Sequence, residues 1–405
     1  MISTRAAKLE EYQTLFHLFK AAFKQDEAEL FDYLIRNDPT LTPENIRVAT
    51  HNDRPVACSI ALPRHIRTAR GNWVPGVIIT LVACHPDYQG KGFGSAAVTD
   101  SLRYAADCGA NLAMLYGHPA FYPRFGFVPV LPTVITTLDL ADMQQAASEC
   151  STGVTGSSPQ PACEGSTHGS FLVRGAQAAD VAALLRLYEV QLANCPCCVK
   201  RYEATWIWKP RGVIPGRRVL VFCNTDSILG YAFIVDDPEQ NRMSLLEVAV
   251  ADSGMARAVL LEIVSIASSL GRRFVTTHMQ PDTSLVRAAL EMGASQEYRP
   301  AAAGMVCVLR WAGLLPGGYT VVPDTIAPPG PSDVFRLAYE GRIIFTATRE
   351  ALTKLVFGYE DTDRLLEQGA LQWVDRSQME HSQLDLLRKD FRRSIPKWYL
   401  APYWY

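Results

Sequence analysis

The chain has 405 residues, too many for one ordinary domain, so two or three are expected. With 48% hydrophobic and 20% charged residues it has a globular composition, and a formal net charge of −2 gives no reason to invoke nucleic acid or a membrane surface as partner. No apolar run is long enough to span a bilayer, and Lys8, Glu10 and Glu11 interrupt the N-terminus early, unlike a signal peptide, so a cytoplasmic location is expected.

Residues 10–24 read as a helix with Leu15, Leu18, Phe19 and Phe23 on one side, and residues 26–36 as a second helix carrying Leu30, Phe31, Leu34 and Ile35. Residues 46–50 and 55–62 form a predicted hairpin joined by the turn residues Asn52 and Asp53. The run from Val77 to Cys84 is apolar, β-branched and short enough to be a buried strand. It is stopped by His85-Pro86-Asp87-Tyr88, after which Gln89-Gly90-Lys91-Gly92-Phe93-Gly94-Ser95 leads into a predicted helix over residues 96–108, with Val98, Leu102 and Ala105 at i, i+4 and i+7.

A strand, a glycine-rich loop and a helix in that order describe an anion site. The first N–H groups of a helix have no internal partners and its dipole favours negative charge there. Glycine lets the backbone approach a phosphate closely and enter turns with positive φ. A Walker loop requires Ser or Thr after the lysine, and Lys91 is followed by Gly92. A dinucleotide loop requires G-x-G-x-x-G, whereas the glycines here stand at 90, 92 and 94.

The pattern Gln/Arg-x-x-Gly-x-Gly/Ala at Gln89, Gly92 and Gly94 resembles the pyrophosphate loop of the GNAT N-acetyltransferase superfamily. The following stretch agrees, with a predicted strand over residues 111–115 and then Phe121-Tyr122-Pro123-Arg124-Phe125-Gly126-Phe127. The resemblance implies that the backbone at Val82, Ala83 and Cys84 holds the acetyl and pantetheine arm of acetyl-CoA, and that Gln89, Gly90, Lys91, Gly92, Phe93, Gly94 and Ser95 cradle its pyrophosphate. Tyr122 is then the candidate general acid. A phenol of pKa about 10 keeps its proton at neutral pH and can give it to a leaving thiolate. The two early helices would form one wall of the acceptor site, although Phe23, Phe31 and Tyr33 read first as core.

Residues 148–171 are crowded with Ser, Thr, Gly and Pro and read as a linker or loop. Residues 172–322 repeat the earlier order of elements: a helix with Val181, Leu184, Leu185 and Tyr188, strands over 219–223, 231–235 and 244–250, a helix over 255–270, a strand over 274–278 and a helix ending near Gly293. The corresponding loop, from Val250 to Ala256, has one glycine, so this second GNAT-like copy is expected to be structural. Of ten cysteines, most, including Cys58, Cys84, Cys223 and Cys307, lie in apolar runs and read as buried. Cys195, Cys197 and Cys198 read as a thiol cluster on a helix end, with no further ligands to complete a zinc set. No metal site is expected.

Residues 323–405 read as a small mixed domain, with Thr348 as the N-cap of a helix closed by Gly358 and a terminal helix over 383–391. It resembles a sterol-carrier-protein-like domain. The expected fold class is therefore α/β (α+β): a catalytic GNAT domain over residues 1–147, a second GNAT-like domain over 172–322, both with mixed, mainly antiparallel sheets, and a small α+β domain over 323–405. That order resembles the enhanced intracellular survival (Eis) family, although Gln89 and Gly90 stand where Arg-Arg is common. The resemblance implies that the carboxylate of Tyr405 enters the active site as general base and that the chain assembles as a homo-oligomer, a hexamer being usual. The expected activity is acetyl-CoA-dependent acyl transfer (the EC 2.3.1 class) to a primary amine of a small molecule or a lysine side chain. The alternative is a non-catalytic module that binds acetyl-CoA or carries an apolar ligand, and thiol release in the presence of amines separates the two.

Overall fold

The computed structural model describes residues 2–23, 25–142, 172–191, 196–203, 217–224, 227–280, 282–324, 330, 333–374 and 381–391. The linker expected at 148–171, Cys195, and the aromatic tail with Tyr405 lie outside the described residues. The described residues gather into two compact units, one from within 1–132, 194–207 and 300–398, the other from within 133–193 and 208–299. Among the described residues, no helix is long and apolar enough to cross a membrane.

The first stretch of chain gives β1 (Ser3–Ala6), α1 (Tyr12–Ala22), α2 (Gln25–Asn37), β2 (Ile46–His51), β3 (Arg54–Arg67), β4 (Trp73–Cys84), α3 (Phe93–Asp107), β5 (Leu112–Tyr116) and β6 (Val128–Asp139). Leu15, Leu18 and Phe19 of α1 are buried, as their i, i+3, i+4 spacing requires. Asn52 and Asp53 both take positive φ, 50° and 63°, the type I′ geometry that suits a two-residue hairpin between β2 and β3. In the first unit β1, β2, β3 and β4 pair antiparallel in sequence, β4 pairs parallel with β5, and β5 pairs antiparallel with β12 (Ser295–Val308).

The core of this sheet lies under α3. Val98, Leu102 and Ala105 of α3 pack with Ala61, Val77, Ile79, Ala113 and Leu115 of the sheet, and with Met305 and Cys307 of β12. The Arg47 Nε–Asp100 carboxylate pair, 2.7 Å, ties α3 to β2. Thus a strand nearly two hundred residues downstream completes the layer on which the first glycine-rich loop is mounted.

Between them the chain forms β7 (Leu172–Gly175), α4 (Val181–Gln191), β8 (Arg217–Cys223), β9 (Ile228–Asp237), β10 (Arg242–Val250), α5 (Ala256–Ser269), β11 (Phe274–Thr277) and α6 (Ser284–Glu291). In the second unit β7, β8, β9 and β10 pair antiparallel, β10 pairs parallel with β11, and β11 pairs antiparallel with Thr136–Asp139 of β6. The same local device stands at β1 and at β7. Arg5 holds Glu11 while the Glu11 carboxylate accepts the Lys8 N–H at 2.8 Å. Arg174 holds Asp180 while that carboxylate accepts the Gln177 N–H at 2.6 Å. Both acids are held below their ordinary pKa, chiefly by the arginine hydrogen bond.

The C-terminal part carries a four-stranded antiparallel sheet, β13 (Tyr319–Val322), β14 (Val334–Tyr339), β15 (Arg342–Thr348) and β16 (Leu371–Trp373), with α7 (Arg349–Val356), α8 (Thr362–Glu367) and α9 (His381–Asp390). The Thr348 hydroxyl accepts the Ala351 N–H at 3.2 Å, so the expected cap is in place. Arg349 is buried. It bonds the Asp333 carboxylate, the Gly330 carbonyl and the Val308 carbonyl at the end of β12.

Cys197 and Cys198 do not sit on a helix end as expected. Both are buried in a turn and extended segment against β3, where Cys197 N–H donates to Arg67 O and Arg67 N–H to Cys198 O, each at 2.8 Å. Backbone pairing on the open edge of β3 decides their place, and it leaves no periodicity in the sequence.

Candidate active site

The site begins with a fault in β4. Thr80 faces Ile60 and Ala83 faces Cys58, so Leu81 and Val82 together stand opposite Ser59. Leu81 has φ 47°, uncommon for a residue with a side chain, and this β-bulge bends the strand. Parallel pairing with β5 covers Gly76–Ile78 against Leu112–Met114, and among the described residues Ile79 to Cys84 have no partner on β5. The two strands part into a wedge. His85 N–H donates to Val56 O at 2.9 Å, so by the alternation of a strand Cys84 turns its N–H and C=O toward the wedge.

The loop closes the wide end. Gly90 and Gly92 have φ 73° and 88°, values a side chain would oppose, and Gly92 is the N-cap of α3. The first bond within α3 runs from Ala96 N–H to Gly92 O at 2.9 Å, which places the Phe93, Gly94 and Ser95 amides at the start of the helix with its positive dipole end. The Gln89 amide donates to the Cys84 carbonyl at 3.3 Å, and Lys91 Nζ to Asp87 O at 2.7 Å, so both side chains brace the loop. The Phe93 ring is buried against Tyr88, 5.5 Å between centroids, leaving its backbone to face a ligand. Gly94 N–H faces the half-buried Cys84 sulfur, while burial raises that thiol's pKa.

Tyr122 opens the short 3-10 turn Tyr122–Phe125 beyond β5. Tyr122 and Val82 both pack on the core cluster that α3 shares with the sheet. The Tyr122 ring meets Phe121 edge-on at 5.0 Å and Phe127 at 5.9 Å. Burial pushes its phenol up to about 12, so the hydroxyl keeps its proton. Val82 and Tyr122 thus share one core cluster, while Cys84, Tyr88 and Phe93 pack on a second one with Ala49, Val56 and Ala57. Tyr405 lies outside the described residues.

Residues 3–130 match the acetyltransferase (GNAT) domain family. This stretch is a GNAT domain. The fold of the whole chain is similar to the GCN5-related N-acetyltransferase of Anabaena variabilis (15% identity, TM-score 0.70, 98% of each chain covered). It is also similar to the GCN5-related N-acetyltransferase of Kribbella flavida (15% identity, TM-score 0.67, 98% of this chain and 97% of that one). A third similar structure is Eis1 of Mycobacterium abscessus (15% identity, TM-score 0.65, 98% of this chain and 99% of that one). No curated protein matches the sequence. GNAT folds bind acyl-CoA, and the wedge, the positive-φ glycines and the free helix start are a frame that such a ligand fits.

Within the GNAT domain, β4 and β5 carry no Asp, Glu or His. Two histidines stand at the ends of these strands. His85 Nδ1 accepts the Asp87 N–H at 3.3 Å, and His118 Nδ1 accepts the Ala120 N–H at 3.2 Å. Sequence reading missed the bulge at Leu81 and the completing strand β12. Of the acceptor-wall candidates, Phe31 is core, Phe23 is exposed, and the half-buried Tyr33 phenol is raised to about 12 by burial.

Proposed function

We propose that the chain is an acetyl-CoA-dependent N-acetyltransferase acting on a primary amine of a small molecule or a lysine side chain. The observation that carries the reading is the wedge between β4 and β5 with a glycine-formed helix start at its mouth and a protonated tyrosine on the same core. Acetyl-CoA supplies, when bound, an acetyl thioester that an amine can attack with departure of the CoA thiolate. Residues 89–95 would hold the pyrophosphate as one loop, through the amides other than that of Gln89, which donates to Pro86 O, and that of Gly94, which faces the Cys84 sulfur, and the Cys84 N–H would orient the pantetheine arm. Tyr122 would give its proton to the departing sulfur. The acceptor ammonium must lose a proton before attack, and from the resemblance to the Eis family we assign that role to the Tyr405 carboxylate. Amidating that carboxylate would then remove most turnover with almost no steric change.

We also read residues 172–322 as a second GNAT-like copy and 323–405 as a sterol-carrier-like domain. The Arg5–Glu11 and Arg174–Asp180 devices, and a bulge in β10 at Leu246 that answers the one in β4, support the repeat. In this copy the Asp252 carboxylate accepts the Gly254 N–H at 2.6 Å, placing a negative charge of the chain's own just ahead of α5. A phosphate there would be repelled, which favours the first copy as the working one.

Two expectations follow for the loop and the acid. Lys91→Glu reverses an exposed charge on the loop without touching the core, and should weaken acetyl-CoA binding about tenfold at low salt, with the difference shrinking as salt rises. Calorimetry at two ionic strengths reads this, and equal affinities at both would move the anion elsewhere. Because the phenol of Tyr122 is raised to about 12, its acid form persists through the alkaline range. The rate at saturation should therefore climb with pH as the acceptor side loses its proton, with no descending limb before about pH 10. A descending limb centred near pH 8 would assign the acid to another group. The activity itself is tested by following CoA thiol release with a panel of primary amines; no amine-dependent release from folded protein would count against the proposal.

A further inference from the structure

We propose that Gly117 is a positioning residue for Tyr122: its lack of a side chain is what allows the tyrosine ring its place, an inference that rests on the reading of Tyr122 as the acid. Gly117 follows β5 directly, and its φ lies outside the left-handed region, so its backbone accepts any residue. The demand for glycine is steric. A Cβ built on Gly117 would lie 2.2 Å from Cε2, 2.8 Å from Cδ2 and 3.1 Å from Cζ of Tyr122. These atoms form one edge of the ring and include the carbon that bears the hydroxyl, so the ring edge occupies the space a side chain at Gly117 would need.

Neither partner has an easy retreat. The ring is held on its other sides by Phe121 at 5.0 Å and Phe127 at 5.9 Å, both centroid distances. Gly117 is held by its own N–H, which donates to the Ala303 carbonyl of β12 at 2.9 Å. The same strand grips the far end of the turn, where Cys307 Sγ lies 3.6 Å from the Phe125 carbonyl. With the backbone pinned, an added methyl moves the ring. Restoring ordinary van der Waals contact displaces the ring edge by more than about 1 Å, and the hydroxyl moves with it. A displacement of that size at a reacting group costs on the order of a hundredfold in rate.

The test is a double-mutant cycle on the full-length protein, reading kcat, KM for the amine, the acetyl-CoA dissociation constant and the melting temperature. Gly117→Ala should lower kcat by about ten- to a hundredfold while acetyl-CoA affinity stays within about twofold of wild type. Adding Gly117→Ala to Tyr122→Phe should cause no further loss, because the displaced ring then has no proton to deliver. If Tyr122→Phe lowers kcat and Gly117→Ala does not, the positioning role is wrong and the acid reading stands. If Tyr122→Phe leaves kcat unchanged, the acid reading falls and takes the proposal with it. Equal losses from Gly117→Ala in both backgrounds would show that Gly117 acts through something other than Tyr122, and would overturn it. Should Gly117→Ala fail to fold, the pair Gly117→Ala with Tyr122→Ala removes the collision. Recovery of folding in the pair supports the proposal, and failure of the pair overturns it.

Discussion

Tyr122→Phe is expected to reduce kcat by a hundredfold or more, within the range of about 10² to 10⁴ that a positioned general acid contributes, while acetyl-CoA affinity changes little. The hydroxyl is the only group removed. The ring contacts with Phe121 and Phe127 survive in the variant, so the packing that orders the turn is retained. Among the described residues the hydroxyl has no hydrogen-bond partner whose loss would destabilise the fold. The loss should therefore fall on kcat and kcat/KM together, with melting temperature near wild type. A variant of full turnover at saturating substrates would return Tyr122 to a packing role.

The second large effect is on stability. Arg349→Ala is expected to cost about 3 kcal/mol, at the lower end of what breaking a buried ion pair costs, because Asp333 keeps 21% side-chain exposure and is partly hydrated once left alone. The Arg349 side chain is 1% exposed, lies 5.1 Å over the Phe335 ring and gathers three acceptors: Asp333, Gly330 O and Val308 O. Val308 ends β12 and Asp333 precedes β14, so the guanidinium joins the strand that completes the GNAT sheet to the C-terminal sheet. Its removal leaves the Asp333 carboxylate with the Gly330 N–H as its remaining donor and takes the guanidinium from the Val308 and Gly330 carbonyls, each a penalty of its own. Thermal unfolding should show a drop of roughly 6–12 °C. A loss below about 1 kcal/mol would mean that water already satisfies these groups.

What could be read from the sequence was what local chemistry dictates. The apolar stripe of α1, the Asn52-Asp53 turn, the Thr348 cap and the glycines at 90 and 92 each act over a few residues, and each is where it was expected. The bulge at Leu81 left no trace, because the strand is apolar on both faces and one extra residue disturbs no visible alternation. The pairing of β5 with β12 joins residues nearly two hundred apart, and nothing local marks a partner at that distance. Gly117 resembled any loop glycine, since its reason is the Tyr122 ring rather than its own backbone. The candidate site was thus legible in its loop and its tyrosine, but not in the bulge, the strand and the glycine that set their geometry.

The most direct measurement supplies acetyl-CoA labelled with carbon-13 at the acetyl carbonyl, together with a primary amine that stimulates thiol release, and follows the carbonyl resonance by NMR. An N-acetyltransferase converts the thioester signal into an amide signal, one for each CoA released, and the Tyr122→Phe protein does so at least a hundredfold more slowly. Release of CoA with the label appearing as free acetate, or a thioester signal that persists beside folded wild-type protein and every amine offered, would contradict the account.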